Sequence, residues 1–198
     1  MIKPLSEMTL AELWELFPII LKEHNPLYGD WYAEESARLV QTLGRQNIRR
    51  ISHIGSTAVA GLIAKPTVDI LLEVSAECDS EKTNRMLCES GWIVMRPFTG
   101  DRIDACYNKG YTSQGFAERV FHLHVRRAGD PDELYFRDYL IAHKDAADAY
   151  GELKCSLLRQ YEHDRDGYTD AKTELVRRYT RAAREEFPCR YRLGDLEA

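Results

Sequence analysis

The sequence has no apolar run approaching the ~18–20 residues that span a bilayer, and its start, Met-Ile-Lys-Pro-Leu-Ser, is not a basic segment leading into an apolar one. Neither a membrane span nor a secretory leader is expected, and a cytoplasmic protein is. No Cys-x-x-Cys pair occurs either. Cys78, Cys88, Cys106, Cys155 and Cys189 are odd in number and scattered, which suits free thiols in a reducing compartment better than a disulfide framework or a thiolate zinc site. Gly-x-Ser-x-Gly, a Walker lysine, Gly-x-Gly-x-x-Gly and His-Glu-x-x-His are all missing. The α/β-hydrolase, P-loop, Rossmann and zincin readings therefore have no starting point. An excess of positive charge is lacking as well: 27 Lys+Arg against 32 Asp+Glu give a net charge of −5, so nucleic acid is not an expected partner. Arg177, Arg178, Arg181 and Arg184 do form a basic stripe, but Glu185 and Glu186 follow it, and a solvated helix face explains it.

What remains is an ordinary globular composition: 198 residues, 44% hydrophobic and 30% charged, enough to bury a core without metal or disulfide staples. With no repeats, low-complexity tracts or linker-like stretches, the chain reads as one domain, residues 1–198. Its core covers about residues 1–127 and a helical region about 128–198.

Thr9 is a good N-cap for a helix carrying Leu10, Leu13, Trp14, Phe17, Ile20 and Leu21, which Pro18 must kink or split. A second helix starts near Asp30 and ends at Gly44. The period then switches, and residues 47–54 alternate as a strand does. Gly55-Ser56-Thr57 breaks that strand into a turn or short helix, and Thr67–Val74 is the strongest strand in the sequence. A helix capped by Asp79 or Ser80 stops at Gly91, and strands are expected at Trp92–Met95, Ile103–Asn108 and Arg119–Arg126. From Pro131 the apolar spacing is helical, with Asp164-Arg165-Asp166-Gly167 separating two helices. The expected class is α/β (α+β), a mixed sheet flanked by helices with a C-terminal helical cap.

The chemistry concentrates between Ile51 and Leu72. A Gly-Ser turn leaving a strand offers backbone N–H groups and a hydroxyl, a cradle for phosphate at Gly55, Ser56 and Thr57. Asp69 on the next strand puts a carboxylate beside that cradle, which is how a protein holds Mg²⁺ (or Mn²⁺) against a triphosphate. Asp69 sits in an apolar strand, so a purely structural role demands a partner such as Lys65, Arg49 or His124. His122 and His124, two apart on a strand, share a face and are candidate metal ligands with Asp69, or else bond across the sheet. His53 orients the Gly-Ser turn or serves as a satisfied sheet histidine. Lys65 is placed to reach phosphate oxygens, or stands solvated at the start of the strand. Tyr168 and Lys172, four apart on a helix, could stack on a base and neutralise phosphate, with packing and solvation as their default role.

The string His-Ile-Gly-Ser-Thr-Ala-Val, then Gly-Leu, Ala-Lys-Pro and Val-Asp-Ile, resembles the signature of the GrpB family, whose fold is nucleotidyltransferase-like. Further matches are Phe121-His122-Leu123-His124-Val125, Phe136-Arg137-Asp138-Tyr139-Leu140 with His143, and Tyr168-Thr169-Asp170-Ala171-Lys172, so the similarity covers roughly residues 28–180. The resemblance implies a fold more firmly than a reaction. In the wider superfamily, Gly-Ser is followed by Asp-x-Asp or Asp-x-Glu and a third acid, which hold two Mg²⁺ ions. Here position 71 is Leu, and Glu73 lies roughly 13 Å along the strand from Asp69, too far to share a metal.

Two expectations follow. One is a nucleotidyltransferase binding a nucleoside triphosphate at Gly55-Ser56 with a cation on Asp69. His122 or His124 would complete the metal shell or act as base, and Lys65 and Lys172 would offset phosphate charge. The other is an inactive nucleotide- or anion-binding accessory module of the same fold. Fusion of similar domains to dephospho-CoA kinase implies, by resemblance, a protein partner for such a module.

Overall fold

The computed structural model describes residues 3–75, 77–98 and 104–193. Helix α1 (Leu10–Leu16) opens on a complete capping box, the Thr9 side chain accepting from the Glu12 N–H while the Glu12 carboxylate accepts from the Thr9 N–H. It ends before Pro18, and the expected continuation to Leu21 is instead an extended strap. Phe17 and Ile19 are buried, the Ile19 N–H donates to the Glu162 carbonyl (2.8 Å), and Lys22 bridges Ala64. Helix α2 (Tyr28–Leu43) buries Trp31, Leu39 and Leu43 on one stripe and stops at Gly44.

Five strands follow: β1 (Ile48–Ile54), β2 (Val68–Val74), β3 (Ile93–Arg96), β4 (Asp104–Thr112) and β5 (Gly115–Arg127), with α3 (Ser80–Glu89) between β2 and β3. They form one sheet in the order β1-β2-β5-β4-β3, antiparallel except where β2 runs parallel to β5. The last two strands are longer than their sequence suggested. The Gly-bearing stretch after Lys109 continues as ladder through a bulge at Gly110, where φ is +89° and an added Cβ would meet the Arg119 carbonyl oxygen at 2.3 Å. Of the expected strand Ile103–Asn108, Ile103 lies outside the described residues.

Alternation divides the sheet chemically. Val68, Ile70, Leu72 and Val74 of β2, with Leu123 and Val125 of β5, face α2 and α3 in the main core. The opposite face carries Asp69, Leu71, Glu73, His122, His124 and Cys106. It is covered partly by α4 (Asp132–Ala142), whose Leu134 packs on Leu71 and Ile54. Helices α5 (Lys144–Tyr161), α6 (Arg165–Asp170) and α7 (Thr173–Glu186) complete that cap. A second core joins Val59 and Leu62, just past the bend, to Leu140, Tyr150 and Tyr179 of the cap. The segment Asp164-Arg165-Asp166-Gly167, expected as a separator, starts a helix instead: the Asp164 carboxylate caps α6 by accepting from the Gly167 N–H (2.8 Å).

Candidate functional site

The bend that leaves β1 turns at Gly55, whose φ of +70° favours glycine and whose position permits nothing larger. A Cβ there would lie 2.3 Å from Asp69 Oδ2, so the carboxyl of β2 is seated directly against the bend. Ser56–Ala58 is a single 3-10 turn whose N–H groups at Ala58 and Val59 bond back to Gly55 and Ser56. The turn or short helix expected at this cradle is thus a single 3-10 turn, too short to carry a helix dipole that would favour an anion. Thr57 faces inward: its hydroxyl donates to the Thr67 carbonyl (3.1 Å) and accepts from His53 Nε2 (3.0 Å). At 2% exposure it ties the bend to the start of β2 rather than facing a ligand. His53 answers to both expectations, bonded to Thr57 of the turn and stacked on Tyr32 in the sheet, and burial pushes it down to about 4, so it stays neutral.

Pairing of β2 with β5 sets Asp69 beside His122, and pairing of β5 with β4 sets His124 beside Cys106. His122 Nδ1 lies 3.2 Å from Asp69 Oδ1 and His124 Nε2 lies 3.7 Å from the same oxygen. Burial alone would lift the Asp69 carboxyl, but the two imidazoles outweigh it and hold the group far below the usual carboxylate range. With Nδ1 donating to the carboxylate, His122 Nε2 accepts from the Tyr111 hydroxyl (2.8 Å), which accepts in turn from Arg165 (2.8 Å). Burial keeps His122 below its ordinary range, consistent with that neutral tautomer. His124 is raised to about 9: burial opposes its charge, and Asp69 and the Cys106 sulfur (3.6 Å from Nδ1) overcome the opposition. Of the partners anticipated for Asp69, His124 is present and His122 joins it.

These bonds decide how a metal would fit. Both ring nitrogens of His122 are engaged, by Asp69 and Tyr111, and His124 Nδ1 meets Cys106 while its Nε2 lies 3.7 Å from Asp69, so the imidazoles are turned on protein partners. Leu71 is fully buried between Ile54 and Leu134, which closes the place of a second acid. Glu73 is also fully buried, in an ion pair with Arg50, and accepts from the Gly129 N–H (3.0 Å). Among the described residues no group of three or more His, Cys, Asp or Glu is arranged to hold a metal. The expected ligand set Asp69, His122 and His124 is thus an internal hydrogen-bonded cluster in which one carboxylate is the sole free-facing donor, and it does not fit a protein-held metal centre.

Positive charge gathers on the other side of the bend. Lys154 of α5, 2% exposed, donates to Ser56 Oγ (3.0 Å) and to the Ile63 carbonyl. Lys172, at the start of α7, stands 4.2 Å from the centroid of the Tyr168 ring, and Lys65 stands 5.9 Å from it. Lys65 is therefore partly buried against an aromatic rather than solvated, and burial with Arg165 nearby lowers it to about 8. Burial likewise lowers Lys154 and Lys172 to about 7, with Lys65 repelling both and Asp69 pulling Lys172 the other way. Sequence reading placed Lys65, Lys172 and Tyr168 here and missed Lys154 and Arg165. The available signal for Lys154 was its spacing: it falls with Ala147, Tyr150 and Gly151 on the buried stripe of α5.

Among the described residues no helix is long and apolar enough to cross a membrane. The protein YqkA of Bacillus subtilis is 31% identical over 85% of this chain and 49% of its own length, so the chain spans about half of that relative. A dephospho-CoA kinase of Mycobacterium tuberculosis is 27% identical over 78% of the chain and 43% of the kinase. Among solved structures, a conserved GrpB protein from Enterococcus faecalis superposes with a TM-score of 0.70 at 27% identity, covering 85% of this chain and 99% of that one. Residues 18–182 match the family described as GrpB protein, and the chain belongs to that family.

Proposed function

We propose that this chain binds a nucleoside triphosphate at the Gly55-Ser56 bend and acts as a nucleotide-binding module of the nucleotidyltransferase-like type. One observation carries the reading: Asp69 is seated against Gly55, Lys154 bonds Ser56, and Lys65 and Lys172 flank the Tyr168 ring with Lys65 acting on Lys154, so residues distant in the chain gather beside the bend, as a phosphate site requires and as a packing role for each alone does not. The cations meet phosphate oxygens, Asp69 orders the bend from below, and the cap closes the site against the sheet. Similarity to part of a dephospho-CoA kinase supports an accessory role beside an enzyme that handles nucleotides. Nucleotidyl transfer is the second reading, favoured by an ionised Asp69 at 26% side-chain exposure next to the bend and weakened by the buried Leu71.

Calorimetric titration with ATP, CTP, GTP and UTP, each with and without Mg²⁺, tests both readings. The module predicts saturable binding of at least one nucleotide and no pyrophosphate release or self-labelling. Metal-dependent product that vanishes in Asp69→Asn would establish the transferase instead. If no triphosphate binds, the nucleotide reading is wrong.

A further inference from the structure

A buried lysine normally sits against a carboxylate, yet Lys154 has Ser56 Oγ and the Ile63 carbonyl as its acceptors, and among the described residues neither it nor Lys65 nor Lys172 forms an ion pair. Three amines from three segments therefore lie within electrostatic reach of one another with no salt bridge among them, and Asp69 acts on Lys65 and Lys172 only from farther off. A second observation is independent of charge. Tyr168 is fully buried between Lys172 and Lys65, and its hydroxyl has no hydrogen-bond partner. Burial holds that hydroxyl protonated, so it is a donor in want of an acceptor, and its electrostatic neighbours are Tyr150 and Cys155 on the turn of α5 that carries Lys154. Amines lacking an anion and a donor lacking an acceptor ask for the same thing: a multiply charged group rich in oxygen. A single carboxylate would leave most of the donors unmet, whereas a chain of phosphates supplies several oxygens and two or more negative charges.

We propose that Ser56, Lys65, Lys154, Tyr168 and Lys172 form the seat of an oligophosphate chain, with Lys154 as its anchoring cation and the Tyr168 hydroxyl as a donor to a phosphate oxygen. This rests on the reading that the bend binds a phosphate-bearing nucleotide, and it fixes where the negative end of that molecule lies. It also assigns the cap a binding role, since α5, α6 and the start of α7 supply three of the five groups.

Isothermal titration of the full chain with inorganic tripolyphosphate and with ATP separates the claims. The variants are Lys154→Met, Lys172→Met and Tyr168→Phe, each checked for an intact melting transition. Tripolyphosphate is expected to bind the parent chain and to lose about tenfold or more in affinity with either lysine variant. Tyr168→Phe should lose a smaller factor while raising the melting temperature of the unliganded protein, because the unmet donor is gone. Lys172 is only partly buried, so its variant reports even if Lys154→Met fails to fold. Lysine-dependent binding of tripolyphosphate without binding of any nucleoside triphosphate upholds the seat and overturns the nucleotide reading. Binding of ATP within twofold of the parent value in both lysine variants overturns the seat and upholds that reading. Absence of binding by tripolyphosphate and by all four nucleoside triphosphates overturns both.

Discussion

At the scale of single residues, the tightest constraint is the contact of Gly55 with Asp69. Gly55→Ala combines an unfavourable backbone region with a methyl group driven into the carboxyl, and an unfolding penalty of about 1–3 kcal/mol or more is expected from urea midpoints. Part of that penalty should disappear in an Asp69→Ala background, where the clash is relieved and the backbone strain persists, so a double-mutant cycle separates the two causes. Leu71 yields the opposite kind of expectation. Leu71→Asp restores the acid that the superfamily pattern wants, but it buries a carboxylate between Ile54 and Leu134. The variant should lose several kcal/mol of stability, read by chemical denaturation, and gain no metal-dependent turnover. His53 supplies a pH test. Burial holds it neutral down to about 4 in the folded chain against an ordinary value of 6.5, so the stability of its neutral form is complete above pH 6.5 and is lost as pH falls from there toward 4. His53→Gln should flatten the difference in melting temperature between pH 7 and pH 5.

At the scale of elements, legibility followed how local the cause was. Strands β1 and β2 and helix α3 were readable because their alternation, or a capping Asp79, lies within the segment itself. Strand β4 was cut short in the sequence reading because Gly110 looks like a turn residue, and only the partner strand shows that it is a bulge. Helix α6 was read as a break since Asp164 and Gly167 are typical of loops, though the same two residues make its N-cap. The site behaves likewise. Gly55, Ser56 and Asp69 are close in sequence and were legible, as was the pairing of His122 with His124 on one strand. Whether those imidazoles would face a metal or one another depends on which strands become neighbours, and the parallel placement of β5 against β2 answers it. Lys154 was invisible as a site residue because a lysine on a helix reads as solvated until the helix is packed across the bend.

At the scale of the whole molecule, the accumulation of buried amines sets an unusual pH response. Groups facing Lys154 are Ser56 of the bend, the Ile63 carbonyl, Lys65 ahead of β2, Tyr150 and Cys155 of α5 and Lys172 at the start of α7, with Asp69 acting on the last. Burial, with repulsion from Lys65, lets Lys154 release its proton at about 7 in the folded chain, while the unfolded chain holds it to 10.5. The unfolded state binds more protons across that window, so this group adds stability as pH rises from about 7 toward 10.5. In the unliganded protein the rise should be smaller in Lys154→Met than in the parent, measured as urea midpoints at pH 7 and pH 9.5. Saturating tripolyphosphate should abolish it by keeping the amine charged.

The partners at the bend also differ greatly in their distance along the chain: Asp69 and His122 are 53 residues apart and Ser56 and Lys154 are 98 apart, while at the far end of β1 Arg50 reaches the Tyr191 carbonyl across 141. A ribosome therefore delivers the acid and its glycine long before any of the amines of the cap, and closing such spans is slow compared with forming local helices. Until the cap is made, the bend has the Asp69 carboxyl beside it and none of the amines of α5 and α7. On the proposed seat, capture of phosphate would report that translation and docking of the cap are both complete, and a protease cut in the turn between α5 and α6 should silence it while leaving the sheet intact.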